Sequence, residues 1–205
     1  MLHARGSCAD RLSSRRVPAP SKTAIYPLAK RTSLPRLAVG DQIRSRAAQS
    51  KIRKHKTMTD TNHSIRPYHA DDVEPVIAVW QKANALAHPF LTPEFVAEVH
   101  QAMRDIYLPN AETYVLEEEG AVVGFIALLG NEIGGLFLDP SLHGRGYGKA
   151  LVDHAFALKG PLKVEVFRDN IVGRPFYERY GFEFVEDELH EPSGQTNRKM
   201  AMPEA

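Results

Sequence analysis

Three glycines at alternate positions form the most chemically distinctive loop of the sequence. Gly144, Gly146 and Gly148 lie between two apolar segments, with the basic residues Arg145 and Lys149 beside them. Glycine permits a close approach of backbone to ligand and a positive φ, and the first turn of a helix offers unpaired N–H groups at the positive end of its dipole. A glycine loop that opens a helix therefore predicts a cradle for phosphate, with a pyrophosphate as its natural guest.

The spacing of these glycines excludes two common phosphate loops. The P-loop requires G-x-x-x-x-G-K-[ST], which residues 144–149 do not supply. The dinucleotide fingerprint G-x-G-x-x-G fails as well, because the spacing here is G-x-G-x-G. A loop that serves only as a tight turn is the alternative interpretation.

A second chemically capable segment runs from Asn170 to Phe182. Its aromatic residues Phe176 and Tyr177 follow Asn170 by one or two helical turns. A phenol in this position could protonate a leaving thiolate, because a thiol has a pKa of about 8–9 and leaves more readily as the neutral group. The alternative is that these aromatic residues only fill the core. We expect the core for Phe176 and Phe182, and catalysis for Tyr177.

Strands and helices alternate along the part of the chain that carries both segments. Apolar periodicity and turn residues predict strands at 65–68, 112–116, 121–129, 132–138, 162–167, 182–185 and 198–202, the last of them at an edge of the sheet. Helices are predicted from about 72 to 87, from 92 until Pro109-Asn110, from 146 to 158 and from 172 to 179. The pattern indicates a single α/β domain with a mixed, mostly antiparallel sheet of six or seven strands and about four helices.

The net charge of +1 conceals two regions of opposite sign. Residues 1–57 contain 14 lysine and arginine residues and two aspartates, a net charge of +12, whereas residues 58–205 contain 12 basic and 23 acidic residues, a net charge of −11. We interpret residues 1–57 as a basic, disordered extension of the domain at 58–205. We favour sequence upstream of a true start at Met58 over a transit peptide, and a transit peptide over an arm that binds nucleic acid.

Composition excludes several other classes of protein. No run approaches the roughly 18 apolar residues of a membrane-spanning helix. The single cysteine, Cys8, forbids an intrachain disulfide and fits a reducing compartment, so we predict a cytoplasmic location. The histidines show no metal-ligand spacing, and we predict no metal site.

Together the two segments resemble the GNAT superfamily of acetyl-CoA-dependent N-acetyltransferases. The loop of that family reads Q/R-x-x-G-x-G/A, and residues 143–148 match it except at His143. The second family motif reads N-x-x-A-x-x-F-Y-x-x-x-G-F, and residues 170–182 match it except that Gly173 replaces alanine. The resemblance covers residues 64–202. Details at 77–80, 88–91 and 136–140 resemble most the bacterial YjaB-like branch.

The resemblance implies a layout for acetyl-CoA and the acid that acts on it. Backbone groups of Leu136, Phe137 and Leu138 would pair with the pantetheine arm as an added strand does. Tyr177 would be the general acid. His143 belongs to the implied cofactor-binding set, and its departure from the family's glutamine or arginine is expected to leave binding intact, because the cradle is mostly backbone. The other cofactor-binding residues that the resemblance implies are Gly144, Arg145, Gly146, Tyr147, Gly148, Lys149, Asn170 and Phe176.

The general base and the acceptor site are less sharply indicated. A glutamate at the spacing of Glu132 is the base in the histone-acetylating branch, so the resemblance makes Glu132 the candidate; a solvated carboxylate at a strand end is the alternative. His88 is the other candidate for the base and the first candidate for binding the acceptor, because it lies between the first two helices, where GNAT proteins admit the acceptor. The alternative is that His88 only caps a helix or packs in the core. Trp80 is a second acceptor-binding candidate, with the core as the favoured alternative.

We therefore expect an acyltransferase that moves acetyl from acetyl-CoA to a primary amine, either a small molecule or a lysine-bearing peptide, by direct attack. A CoA-binding sensor without turnover is one alternative. A nucleic-acid- or ribosome-associated protein acting through residues 1–57 is the other. No membrane partner is expected, nucleic acid is the least favoured partner, and a C-terminal edge strand leaves a homodimer open.

Overall fold

The structure is a computed structural model that describes residues 63–204. Seven strands form one sheet in the spatial order β1-β2-β3-β4-β5-β7-β6. Neighbouring strands are antiparallel except β4 and β5, which are parallel. The strands are β1 His63–Pro67, β2 Glu112–Glu118, β3 Ala121–Leu129, β4 Glu132–Leu138, β5 Lys163–Phe167, β6 Glu183–His190 and β7 Gln195–Ala201. The predicted mixed sheet is confirmed, and the expectations for residues 1–57 lie outside the described residues.

Four helices of eight residues or more accompany the sheet in the described part of the chain. They are α1 Val73–Ala87, α2 Pro93–Ala102, α4 Tyr147–Lys159 and α5 Gly173–Tyr180. A π-helical turn, Met103–Tyr107, joins α2 to the short α3, Leu108–Asn110, and 3-10 turns span Ala70–Asp72 and Pro140–Leu142. Local sequence sets their ends: Thr92 accepts a hydrogen bond from the Phe95 amide at 3.3 Å, and Gly181 ends α5 at φ 113°.

Both faces of the sheet are covered, so its strands alternate between two cores. Leu116, Ile126 and Leu128 pack with α4 and α5 on one face. Their neighbours Val115 and Phe125 pack with α1 and α2 on the other. Side chains point to opposite faces at successive positions of a strand, which explains why the central strands are apolar throughout. Within β4, Ile133 packs into the first core and Phe137 into the second, so the strand lies between the two layers.

The last strand lies inside the sheet, so the expectation that it forms an edge was wrong. β7 pairs with β5 on one side and with β6 on the other, and the longer β6 forms the edge. β7 carries the basic residues Arg198 and Lys199, a feature that is common in edge strands. The structure pairs them with carboxylates of β6: Arg198 with Asp187 at 2.9 Å and Lys199 with Glu186 at 2.8 Å.

Most of the acidic run at 117–119 belongs to β2. Glu117 accepts a hydrogen bond from Arg66 at 2.7 Å, and Glu118 from Arg145 at 3.1 Å. Only Glu119 and Gly120 form the turn, both with positive φ. Between residues 63 and 204, no helix has the length and apolar character needed to cross a bilayer.

Candidate active site

The central feature of the site is the separation of β4 from β5. The two strands pair only at Glu132 with Lys163 and at Ile133 with Val164. From Gly134 onward, the edge of β4 that faces β5 has no strand partner among the described residues. Both strands continue and line a cavity of about 450 Å³, a volume typical of a small-molecule site. The separated edge leaves backbone groups of β4 for an extended ligand, as strand addition requires.

The glycine loop forms one end of this cavity and has the conformation expected of a cradle. Gly144 and Gly146 have φ of 81° and 85°, values that favour glycine because it lacks Cβ. Gly146 precedes α4 without a side-chain cap. The first helical bond of α4 is donated by the Ala150 amide to the Gly146 carbonyl at 2.9 Å. The amides of residues 147–149 therefore precede the helical ladder and are free to bind an anion.

The basic side chains of the loop differ in where they lie. Lys149 lines the cavity and is paired with Asp153 at 2.7 Å. Arg145 pairs with Glu118 at 3.1 Å and is not among the residues that line the cavity. His143 is exposed and lines the cavity mouth. Positive charge at the cradle thus comes from backbone amides and Lys149 more than from Arg145.

Tyr177 lines the same cavity. It lies on α5, is 5% exposed and lines the cavity together with Phe176. The Phe176 ring packs so closely on the loop that a Cβ at Gly148 would lie 3.3 Å from it. The loop, β4 and α5 therefore meet around one space. Leu136, Phe137 and Leu138 line it as well.

A buried chain of polar side chains joins the cavity to the end of α1. Asn170 accepts hydrogen bonds from the amides of Val172 and Gly173 at 3.0 and 2.7 Å through Oδ1. Its Nδ2 lies 2.9 Å from Nε2 of His88, and Nδ1 of His88 lies 2.8 Å from Oδ1 of Asn84. The side-chain amide of Asn170 determines the tautomer of His88. Its Nδ2 can only donate, so Nε2 of His88 accepts this hydrogen bond, and Nδ1 carries the ring proton and donates to Oδ1 of Asn84. Burial lowers the pKa of His88 from 6.5 to about 4, which keeps the ring neutral.

Glu165 is a carboxylate of the cavity that sequence reasoning missed. It lies on β5, lines the cavity and accepts a hydrogen bond from the buried Asn197 at 3.3 Å. Burial raises its pKa above the ordinary carboxylate value. A general base needs such a raised pKa to act near neutral pH. Alternation along 163–167 places Glu165 on the other face of β5 from the buried Val164. The sequence does not indicate that β5 separates from β4 and so opens a cavity beside Glu165.

Two predicted residues lie beside the cavity and do not line it. Glu132 pairs with Lys163 at the closed end of the strand separation. Burial, and then repulsion by Glu165, raises the pKa of the Glu132 carboxyl. Trp80 is 1% exposed in the core between α1 and α2, where its ring lies 6.0 Å from that of His100. His88 does line the cavity. No group of three potential metal ligands occurs within residues 63–204.

Comparison with known proteins agrees with this layout. The family model for the acetyltransferase (GNAT) domain matches residues 109–184. The peptidyl-lysine N-acetyltransferase YjaB of Salmonella typhimurium is 34% identical over 120 residues, which cover 58% of this chain and 82% of the relative. The peptidyl-lysine N-acetyltransferase YiaC of Escherichia coli is 29% identical over 123 residues, covering 60% and 84%. The solution structure of apo-YjaB from Escherichia coli superimposes with a TM-score of 0.64 at 29% identity, covering 70% of this chain and 99% of that one.

The chain belongs to the GNAT acetyltransferase family. Within the family it falls in the YjaB-like branch. The resemblance and the acyltransferase class expected from the two motifs are thereby confirmed. The GNAT fold uses acetyl-CoA, and the cavity has the features that this donor requires: a cradle of free amides and an unpaired strand edge.

Proposed function

We propose that the protein transfers acetyl from acetyl-CoA to a primary amine, with a lysine side chain of a protein as the acceptor. One observation carries the proposal: Tyr177, the glycine cradle and the unpaired edge of β4 all line one cavity. The names of the YjaB and YiaC relatives support lysine as the acceptor. The net charge of −11 on residues 58–205 supports a cationic substrate, because an acidic surface attracts it.

The residues of the cavity supply the two proton transfers that the reaction needs. An amine is protonated at neutral pH, so a base must take its proton before nitrogen can attack the thioester carbonyl. Glu165 lines the cavity and Glu132 lies next to it, so we assign the role to Glu165 first and retain Glu132 as the alternative. As the C–S bond breaks, Tyr177 gives its proton to the leaving thiolate; the attacking nitrogen loses its second proton to solvent as the amide forms, and a proton from solvent restores the Tyr177 phenol. A backbone N–H of β4 would stabilise the charge that develops on the carbonyl oxygen.

The donor would be held mainly by backbone. The amides of residues 144–149 would bind the pyrophosphate, and Leu136, Phe137 and Leu138 would pair with the pantetheine arm. The phenyl ring of Phe176 supports the loop from behind. No side chain in this set has to be arginine, which explains how His143 can replace the family's usual residue.

The test measures release of the CoA thiol by the full chain with acetyl-CoA and a panel of acceptors: lysine-containing peptides, polyamines and amino sugars. Tyr177→Phe is expected to lower kcat by about 10²- to 10⁴-fold and to leave the dissociation constant of CoA nearly unchanged. Tyr180→Phe is the matched control. Its phenol bonds Asp153 at 2.6 Å, away from the cavity lining, so kcat should be retained.

Each contrary result has a definite meaning. Binding of CoA without thiol release for any amine would contradict the transfer reaction and favour the sensor alternative. Transfer to small amines with none to peptides would contradict lysine as the acceptor. A Tyr177→Phe variant with the original kcat would remove Tyr177 from the mechanism.

A further inference from the structure

The chain Asn84–His88–Asn170 has no role in the two proposed proton transfers, yet its side chains are buried beside the cavity. All three side chains are less than 9% exposed. His88 is the residue that follows α1, and Asn170 lies 82 residues later in the chain, before α5. The chain therefore links the end of α1 to the segment that precedes α5, the helix that carries Tyr177.

We infer that His88 is a positioning residue: by accepting a hydrogen bond from Nδ2 of Asn170, it fixes the Asn170 loop and the start of α5 in the conformation that binds acetyl-CoA. This inference rests on the proposed function, because the cavity is taken to hold that donor. It assigns no proton transfer to His88.

Hydrogen-bond accounting supports the assignment. The Asn170 oxygen is already used by the amides of Val172 and Gly173. Of its two Nδ2 protons, one goes to His88, and the other is left for a carbonyl acceptor in the cavity that Asn170 lines. Without His88, the loop would carry a buried donor with no partner, which destabilises this conformation relative to others.

Gly173 provides a second, independent observation. It occupies a position where the family motif has alanine. A Cβ at this position would lie 2.8 Å from Nδ2 of Asn170, the atom that bonds His88. An alanine would therefore push away the amide that makes the contact. The glycine therefore leaves room for the position of Nδ2 in which it bonds His88.

Aromatic rings hold the His88 ring in place. The rings of Phe90 and Phe167 meet it edge-on, with centroids at 5.8 and 5.3 Å. These contacts do not depend on the ring nitrogens. His88→Phe would therefore keep much of the packing and remove the acceptor, whereas His88→Gln would retain a carbonyl oxygen that can take the place of Nε2.

The experiment measures the dissociation constant of CoA by calorimetry and the KM for acetyl-CoA in full-chain variants. We expect His88→Phe and Gly173→Ala each to weaken CoA binding by about tenfold, and His88→Gln to bind within about threefold of the parent because an acceptor is restored. His100→Phe, an exchange of one ring for another outside the cavity lining, is the matched control. In the double variant, the two losses should not add, since both act on the same amide.

Several outcomes would overturn the inference. His88→Phe with a lowered melting temperature and an unchanged CoA dissociation constant would reduce His88 to a packing role. Additive losses in the double variant would separate Gly173 from His88. Nitrogen-15 NMR of the imidazole should show the proton on Nδ1, and a proton on Nε2 would contradict the contact. If His88→Phe does not fold, Gly173→Ala decides: CoA binding equal to that of the parent protein overturns the inference. CoA binding by the parent protein without acetyl transfer would overturn the proposed function alone and leave this test intact.

Discussion

Acid should destabilise the protein through His88, and the size of the effect follows from its burial. Burial lowers the pKa of the ring from 6.5 to about 4 in the folded protein. The unfolded chain regains the ordinary value, so between pH 6.5 and pH 4 it binds a proton that the folded protein does not bind. The loss of stability through His88 therefore begins as the pH falls below 6.5 and is complete near pH 4, below which both states bind the proton.

The magnitude comes from the interval between the two values. Between the two pKa values, each decrease of one pH unit lowers the free energy of unfolding by 1.36 kcal/mol. Through His88 alone, this free energy should therefore fall by about 3 kcal/mol between pH 7 and pH 4. Glutamine at this position does not titrate. The pH profile of His88→Gln should therefore be flatter than that of the parent protein by the same amount.

Urea unfolding at pH 7, 6, 5 and 4, followed by circular dichroism and by the fluorescence of the single tryptophan, Trp80, measures both profiles. Asp139→Asn is the control. Hydrogen bonds from Lys82 and Ser141 lower the pKa of Asp139 to about 2, so its contribution is lost only as the pH falls from about 3.8 through 2. Its profile should run parallel to that of the parent protein above pH 4. Parallel profiles for His88→Gln and the parent protein would refute the reasoning.

Three further predictions concern the reaction and the cradle. Glu165→Gln should lower kcat by about 10²- to 10⁴-fold, and Glu132→Gln should cause a smaller loss. The acid limb of the pH profile of kcat should lie above the ordinary carboxylate pKa, because burial raises the pKa of Glu165. A larger loss of kcat in Glu132→Gln would assign the role of general base to Glu132 instead. Since the folded protein disfavours ionised Glu165, Glu165→Gln should also raise the melting temperature at pH 7 and lose this gain at pH 4, which scanning calorimetry would test. Gly146→Ala should cost about 1–2 kcal/mol of unfolding free energy and weaken CoA binding, whereas Gly120→Ala, at a similar φ of 83° and also with open space, should cost the same and leave CoA binding intact; equal CoA affinities in the two variants would contradict the cradle.

The parts of the fold that depend on local sequence were predicted well. The bounds of β3 and β4 agree with the apolar runs at 121–129 and 132–138 because turns at 119–120 and 130–131 delimit them. The glycine loop was recognised for the same reason, since its conformation is set by residues adjacent in sequence. Strand order depends on pairing between distant segments, and β7 was placed at an edge because its ion pairs with β6 cannot be read from either strand alone.

The site was predictable only where its chemistry follows the chain. Tyr177 and the loop belong to continuous motifs. Glu165 could not be found, because only the divergence of β5 from β4 exposes it to a cavity. The interaction of Asn170 with His88 spans 82 residues, and nothing in either segment by itself indicates it. In the sequence, Glu165 occupies an ordinary half-buried position of a strand, and nothing about that position indicates a cavity.

The starts of α4 and α5 both lie beside the cavity, but only the start of α5 has its amides bonded by a side chain. At α5, Oδ1 of Asn170 occupies the first amides, so this helix start is already satisfied by the chain itself. At α4, a glycine in the left-handed region stands where a capping side chain would be, and the amides remain for a ligand. A diphosphate would therefore find free amides at one of these two helix starts, which in the proposed function would set the direction of acetyl-CoA along β4. In the proposed function, asparagine at 170 and glycine at 146 together would orient the thioester toward Tyr177.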